Sequence, residues 1–568
     1  MYSLLTQGAI VFVIIWCLWK YFRQVFVKSP LDNIPGPPSE GFFYGNLRQL
    51  LDRHGWSMYD HLLNSYKGIA RLSSPFGHRM LYVFDPIALH SIILKEQHIY
   101  EEAAWFIKSN QSVFGSGLLS TLGREHHRKQ RKLLNPCFSI AHMRRMIPIF
   151  TDIGHKLQKG IESCVSCREG PIEVDMLAWM GRTALELIGQ AGLGYSFDPL
   201  VEESADEFAV AVKMLQPALM QVNFIRRFLP YIPEWGSPWL RRKIVEMIPH
   251  EGIQRVRKIS DTLHERSVAI YQERKRALEL GEEALSLKLG KGHDLMSILL
   301  KANMEASEED RLPEEELIGQ VSTFIFAAMD TTSNALSMIL SLLTQHPHVQ
   351  HKLRKEILEA AQGEDLDYDA LVSLPYLDAV CRETLRLHTP IGMVFREARQ
   401  DTVLPLSEPI TGLDGSHISE IMIPKDTILL VGILACNRNK AIWGEDAMEW
   451  KPERWLSPLP HTVMEAKVPG IYSHLMTFLG GGRSCMFVLL RRYLRCVLGS
   501  HLSSSSGFKF SQLEMKVVLS LLLMKFTFAP SDKPIVWNIA GIRYPTVGDA
   551  TTPSLPMKVG LYKETRGD

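Results

Sequence analysis

The chain has 568 residues, of which 46% are hydrophobic and 22% charged, and its formal net charge is +1. That is globular composition with ample chain for a large core, and the near-neutral balance argues against nucleic-acid binding. The eight cysteines are scattered, and Cys164 and Cys167 form one CxxC with no second pair. A disulfide framework and a zinc site are therefore both disfavoured, and the thiols suit the reducing, cytosolic side of a membrane.

Residues 1–19 carry no charged side chain, and 9–19 are apolar or aromatic without a break. A run of about 20 such residues spans a bilayer as a helix. Lys20, Arg23 and Lys28 follow and no Lys or Arg precedes, so positive-inside bias predicts a permanent anchor over 1–22 with the remaining chain in the cytosol. A cleaved signal peptide is the competing reading, but a basic n-region and a small-residue cleavage site are missing. Residues 23–45 contain the basic flank and Asn33-Ile34-Pro35-Gly36-Pro37-Pro38, predicted as a stiff spacer between membrane and globule. Residues 46–568 form the remaining domain. Tyr82-Val83-Phe84 before Asp85-Pro86 predicts a short strand ending in a turn. From about residue 87 to 387 the pattern is mainly helical, and 281–312 reads as a surface connection into a long apolar helix.

Residues 123–139 crowd five basic side chains and two histidines into their first ten positions. Arg131 lies four after His127, so both occupy one face of the predicted helix. Further on, Ala327-Ala328-Met329-Asp330-Thr331-Thr332 sets an acid beside two hydroxyls inside an apolar helix, which is costly unless the acid is hydrogen-bonded or useful. Glu383 and Arg386 stand at i and i+3, and Pro452-Glu453-Arg454-Trp455 adds a later arginine. Phe478-Leu479-Gly480-Gly481-Gly482-Arg483-Ser484-Cys485 is a glycine-rich run that can fold back tightly around a sulfur, with an arginine two residues away. A thiolate among N–H donors and a cation is a metal ligand rather than a spare core thiol.

In this order and spacing the motifs resemble the cytochrome P-450 family, most closely its fungal microsomal members, over nearly the whole chain. The loop is similar to the family's Phe-x-x-Gly-x-Arg-x-Cys-x-Gly at Phe478, Gly481, Arg483 and Cys485, and departs from it at Phe487. The resemblance implies a mainly α fold with a small β region, haem b held by Cys485 through iron, and propionate contacts from His127, Arg131 and Arg396. His127 replaces the family's tryptophan but keeps an N–H donor. Asp330 and Thr331 become the acid–alcohol pair of oxygen activation, with Ala328 where glycine is usual, so a shallower helix kink is expected. Glu383, Arg386 and Arg454 become a buried charge network.

The implied activity is monooxygenation, with one oxygen atom inserted into a lipophilic small molecule in fungal secondary metabolism such as terpenoid biosynthesis. No flavin or dinucleotide fingerprint occurs, so electrons would come from NADPH through a separate NADPH-cytochrome P-450 reductase. The protein would be a single-pass membrane protein, its catalytic domain on the cytosolic face of the endoplasmic reticulum. Residues 114–119, 214–228 and 391–395 match the family's substrate-facing stretches and are mainly apolar. A peroxygenase or isomerase needing no reductase is the alternative within haem-thiolate chemistry, and the Asp330–Thr331 pair argues against it.

Gly507-Phe508-Lys509-Phe510 reads like the helix that in the family starts two residues after the ligand. Residues 486–506, which include a Ser503–Ser506 run, therefore stand where the family has one position. They are expected to be an insertion or an in-frame retained intron of about 60 nucleotides. If they remain in the protein, displacement of the helix dipole, worth roughly 0.3–1 kcal/mol, leaves a less protected sulfur and poor haem retention. The alternative product is then a haem-deficient, non-catalytic membrane protein. Sequencing the mature transcript across Cys485 is expected to show these codons removed; their presence overturns the intron reading.

Overall fold

The helix Glu314–Gln345 is the longest element, and it is built to be buried. Glu314, Glu315 and Glu316 occupy its first turn, where the positive end of the helix dipole favours acids. Beyond them Val321, Ile325, Leu336, Ile339, Leu340 and Leu343 are fully buried. Helices Met176–Leu187, Glu251–Glu279 and Gly507–Lys525 pack around it. It is long and apolar enough to cross a membrane, the one such helix among the described residues, yet 78% of its most apolar window is buried inside the protein. It is a core helix.

The computed structural model describes residues 27–134, 139–166, 170–200, 207–232, 236–281, 294–485 and 507–563. The anchor expected over 1–22, Cys167 of the CxxC, and segment 486–506 lie outside the described residues.

A five-stranded sheet sits to one side of the helices, in the order Ile69–Ser73, Arg79–Val83, Ile428–Val431, Val394–Ala398, Tyr100–Glu101. Its one parallel pairing sets Leu81 against Leu429, so strands distant in sequence share the buried centre of the sheet. A second sheet joins Phe526–Pro530, Pro556–Leu561 and Ile172–Asp175. Among the described residues three hairpins complete the β structure: Thr402–Thr411 with His417–Ile423, Gly470–Tyr472 with Leu475–Leu479, and Ile535–Asn538 with Tyr544–Val547. The mainly α class with a smaller β part is observed.

Three local expectations need correction. The proline-rich stretch is not a stand-off spacer. Ser29 and Asp32 close a capping box around a 3-10 turn, Leu31 and Ile34 are buried, and Pro35 O accepts the Arg71 N–H at 2.9 Å. The stretch is docked on the first sheet, because two apolar side chains among the prolines find a core. Asp85-Pro86 does not make a turn after the strand. Asp85 Oδ1 accepts the Ala88 N–H at 2.9 Å and starts the helix Pro86–His90, with proline at the first helical position, where its missing donor costs nothing. Finally, the connection read over 281–312 contains the helix Leu295–Glu305. Asp294 caps it through the Ser297 N–H, and Leu295, Met296 and Leu299 are buried.

The helix Pro375–Leu387 carries the acid–arginine pair, and both side chains are fully buried. Arg386 Nη2 and Nε donate to Glu383 Oε1 and Oε2, each at 2.8 Å. Arg454 Nε adds a contact to Oε1 at 3.3 Å, and Trp455 Nε1 donates to Oε2 at 2.9 Å. Arg386 Nη1 closes the network on the carbonyls of Asn437 and Ala447 at 2.9 and 2.7 Å. A bidentate pair with its remaining donors satisfied is the arrangement in which burial of two charges becomes tolerable. Glu383→Ala strands two guanidiniums and is expected to lower stability by about 3–5 kcal/mol, measured by chemical denaturation.

Candidate active site around Cys485

The strand Leu475–Leu479 delivers the chain to Gly480, and the loop turns back through Gly481, whose φ is 78°. A Cβ at Gly481 would lie 2.2 Å from Ile93 O, so both the left-handed backbone and the close approach require glycine. Gly482 N–H donates to Gln97 Oε1 at 2.5 Å and fixes the far side of the turn. The half-buried Phe478 ring packs on Tyr472 at 6.0 Å, and Cys485 ends the turn half-buried.

The helix Arg124–Leu134 supplies the cations to this loop. Arg131, 3% exposed, donates from Nη1 to Ser484 O and from Nη2 to Ser484 Oγ, so its charge rests beside the residue preceding the thiol. Burial pushes the Arg131 pKa down to about 10, which leaves it charged at neutral pH. His127 is buried with it on the same face. Burial, with the charges of Arg483, Arg131 and His126, pushes the His127 pKa down to about 2 and keeps the imidazole neutral.

Arg483 Nε pairs with Glu102 Oε2 at 2.9 Å, and Arg483 Nη1 donates to Thr121 O at 2.8 Å. Arg396, on the strand Val394–Ala398, meets the other Glu102 oxygen at 3.5 Å. Glu102 thus bridges two guanidiniums that sequence reasoning treated separately, and nothing in its Glu-Glu-Ala-Ala context marked it out. Among the described residues Arg131 Nε and Arg483 Nη2 are buried without hydrogen-bond partners.

On the central helix Asp330 is 3% exposed, and its Oδ1 accepts from Lys213 Nζ at 2.9 Å. The ammonium also donates to Ser333 Oγ, while Asn334 Nδ2 donates to Asp330 O and Oδ1 at 2.8 and 3.2 Å. The acid is therefore a partnered carboxylate rather than an open one. Lys213 was missed; its one signal is a lone lysine in the apolar run Phe208–Met214. Thr331 donates to Ala327 O at 2.7 Å, a back-bond inside a helix that is continuous from Glu314 to Gln345. Next to it, Thr332 Oγ1 donates to Glu514 Oε2 at 3.3 Å. Burial holds the Glu514 carboxyl well above the usual carboxylate range, so a second buried acid flanks the pair.

Phe326, Ala327, Ala328 and Thr331 are accessible on a helix otherwise buried along this stretch. The helix thus presents a strip of small and apolar side chains with one hydroxyl. Among the predicted substrate-facing stretches, the Phe114 ring meets Phe326 at a tilt with centroids 4.5 Å apart, and 391–395 are all half-exposed. Residues 114–119 cross the helix where Gly117 meets Gly319. A Cβ on Gly117 would stand 2.4 Å from Gly319 O, and one on Gly319 would stand 2.5 Å from Gly117 N. The stretch 214–228 is less apolar than expected. Arg226 Nε donates to Ser109 Oγ at 2.6 Å, and the guanidiniums of Arg226 and Arg227 lie 5.6 and 4.9 Å from the Trp105 ring centroid. A separate cleft of about 620 Å³ beside the Gly470–Leu479 hairpin is lined by Asp378, Arg382, Tyr472, Gln512 and Lys516. Its charges are tied to one another, as in the Lys516–Asp378 pair at 3.0 Å, and none of the accessible strip lines it.

The residues around Cys485 fit a haem. The donor set offers a thiol, a neutral imidazole, and two buried guanidiniums with N–H groups still seeking acceptors such as carboxylates. The Cytochrome P450 family model matches residues 35–486 and so ends one residue beyond the thiol. A cytochrome P450 monooxygenase of Postia placenta, number 91, is 53% identical over 97% of this chain and 98% of its own length. Number 81 of the same fungus is 51% identical over 95% of each chain. A ganoderic acid synthetase of Ganoderma lucidum is 46% identical over 95% of this chain and 96% of its own. With a glycine-turned thiol, an arginine helix and an acid–threonine core helix in one fold, and with likeness of this extent, the chain belongs to the cytochrome P450 family and is a monooxygenase.

Proposed function

We propose that the protein hydroxylates a lipophilic small molecule, of the terpenoid kind, in fungal secondary metabolism. The observation that carries this reading is the apolar strip Phe326–Ala328 with the single Thr331 hydroxyl, set in the same fold as the cationic frame of Cys485. A surface with one polar group orients an apolar substrate without paying to desolvate it. The likeness to a ganoderic acid synthetase supports the terpenoid class.

Cys485 would ligate the haem iron, and Arg131, His127, Arg396 and Arg483 would hold its carboxylates. When bound, the haem supplies oxygen activation and the oxidation of a C–H bond, favoured by thiolate electron donation. The chain's own residues manage protons and position. Lys213 holds the Asp330 carboxylate in place, and the Thr331 hydroxyl, whose proton goes to Ala327 O, keeps its oxygen able to accept a hydrogen bond on the accessible side of the helix. Glu514 adds a second acid one helix away, its carboxyl held well above the usual carboxylate range by burial. Electrons come from NADPH through a separate reductase.

The protein works as a single-pass membrane protein of the endoplasmic reticulum with residues 23–568 cytosolic. The apolar run over 1–22 supports this. So does an exposed aromatic patch: Phe42, Phe43 and Tyr44 are each at least half exposed, and rings of Phe42, Phe43, Phe224 and Phe228 gather around Phe76. Monomeric soluble proteins rarely expose such a surface.

The reading is tested by the carbon monoxide difference spectrum of the reduced, haem-loaded protein. Wild type is expected to give a thiolate band and NADPH-dependent hydroxylation with reductase; Cys485→Ser is expected to lose both. An unchanged band in that variant overturns the proposal. Recording the same spectrum with residues 486–506 deleted separates it from the haem-deficient alternative. For the Lys213–Asp330 pair, Lys213→Met is expected to cost about 3 kcal/mol in denaturant melts because it strands a buried carboxylate. Adding Asp330→Asn should recover most of that loss, and strict additivity would mean the two groups do not couple.

A further inference from the structure

Behind residues 390–395, two arginines meet without an acid between them. Arg543 lies at the end of the turn that joins Ile535–Asn538 to Tyr544–Val547, and its backbone N–H donates to Pro390 O at 3.0 Å. Its side chain is buried, and its Cζ stands 4.7 Å from the Trp56 ring centroid. Arg438 approaches the same ring at 5.7 Å while its Nε and Nη2 cap the helix Pro375–Leu387 through Leu387 O at 2.9 and 2.7 Å. Arg543 has no comparable acceptor among the described residues: Nη1 and Nη2 are both buried without a hydrogen-bond partner there. Nearby, Tyr82 is 0% exposed and its hydroxyl is equally without a partner.

The charge balance is one-sided. The groups that act on the two guanidiniums are Asp60, Tyr59, Tyr82, Arg386 and the guanidiniums themselves. Asp60 alone carries negative charge at neutral pH, and it is exposed. His388 faces the same cluster and is kept neutral by burial and by the arginines. Burial, reinforced by Arg438, pushes the Arg543 pKa down to about 9, which still leaves it a cation at neutral pH. A buried cation without a counter-charge is disfavoured, and two that share one ring also repel each other. The backbone leaves space for at least a methyl-sized group beside Arg543 Nη2. A Cβ on Gly392 would meet nothing closer than 3.9 Å, and the atoms at that distance are Arg543 Nη2 and Leu434 Cβ.

We propose that this pocket is an internal site for a small monovalent anion, a halide or a carboxylate, bound by Arg543 Nη1 and Nη2 with the Tyr82 hydroxyl as a third donor. Arg438 contributes field rather than contact. The half-exposed segment 390–395 gives the anion its way in.

The test uses the haem-loaded full chain at constant ionic strength, with chloride or formate replacing the bulkier anion isethionate. A hundredfold rise in chloride above its dissociation constant is expected to raise Tm by roughly 2 °C, a small shift because the chain is long. A stronger response to formate identifies the site as a carboxylate site, and a stronger response to chloride as a halide site. Arg543→Met is expected to be at least as stable as wild type without the small anion and to lose the response, since an apolar side chain needs no counter-ion. Should that variant not fold, Tyr82→Phe is expected to weaken the chloride midpoint by roughly three- to tenfold through one lost hydrogen bond. In bromide-soaked crystals an anomalous peak is expected between Arg543 and Tyr82. A Tm indifferent to the anion, a response retained in Arg543→Met, or water density without an anomalous peak overturns the proposal.

Discussion

Positive charge brought next to one sulfur is the constraint on which the site depends. A thiol inside a protein becomes an anionic ligand only where cations and N–H groups repay the lost water. Here that charge comes from two separate elements: Arg131 from a helix and Arg483 from the loop itself. Glu102 moderates it by bridging Arg483 and Arg396, which would otherwise repel each other. The buried N–H groups left over on Arg131 and Arg483 are what a dianionic cofactor would satisfy. Everything around the loop is arranged to hold this geometry, down to Gly481, where any side chain would run into Ile93 O.

The central helix solves a related problem with different means. Its length and apolarity suit a fully buried rod, yet it carries Asp330 and a run of hydroxyls through the core. Around the acid–alcohol pair the polar groups have partners, Lys213 for the carboxylate, Ala327 O for Thr331 and Glu514 for Thr332, whereas Thr323 Oγ1 and Ser337 Oγ are buried with no hydrogen-bond partner among the described residues. Polar networks in a core stabilise only when their members are satisfied, and these partners arrive from helices remote in sequence. The same logic governs the Glu383–Arg386–Arg454 network, where one carboxylate holds two guanidiniums and an indole N–H. The Arg438–Arg543 pair breaks that pattern, since it has the cations and lacks the acid.

Much of the architecture was legible in the chain because its signals are local. A Gly-Gly-Gly-Arg-Ser-Cys run, an acid beside two threonines in an apolar helix, and a Glu-x-x-Arg are short patterns whose chemistry lies in adjacent residues. Hydrophobic periodicity likewise marked the central helix and the mainly helical middle of the chain. The errors arose where a proline or a glycine-rich neighbourhood outweighed a tertiary contact or a side-chain cap. Prolines near residue 35 suggested a spacer, but Leu31 and Ile34 found a core; Asp85-Pro86 suggested a turn, but the aspartate side chain caps a helix. A glycine- and lysine-rich neighbourhood hid the capped helix Leu295–Glu305.

The sequence by itself determined the central helix, the thiol with its adjacent arginine, and the acid–alcohol pair, since these depend on spacing along one strand of chain. Only the tertiary structure decided that Asp330 is held by Lys213, that Glu102 joins Arg396 to Arg483, that Gly117 and Gly319 let two backbones touch, and that Arg543 is buried without an acid. The physical reason is that charge compensation and close packing act over a few ångströms of space, whereas the residues concerned stand tens to hundreds of positions apart in the chain.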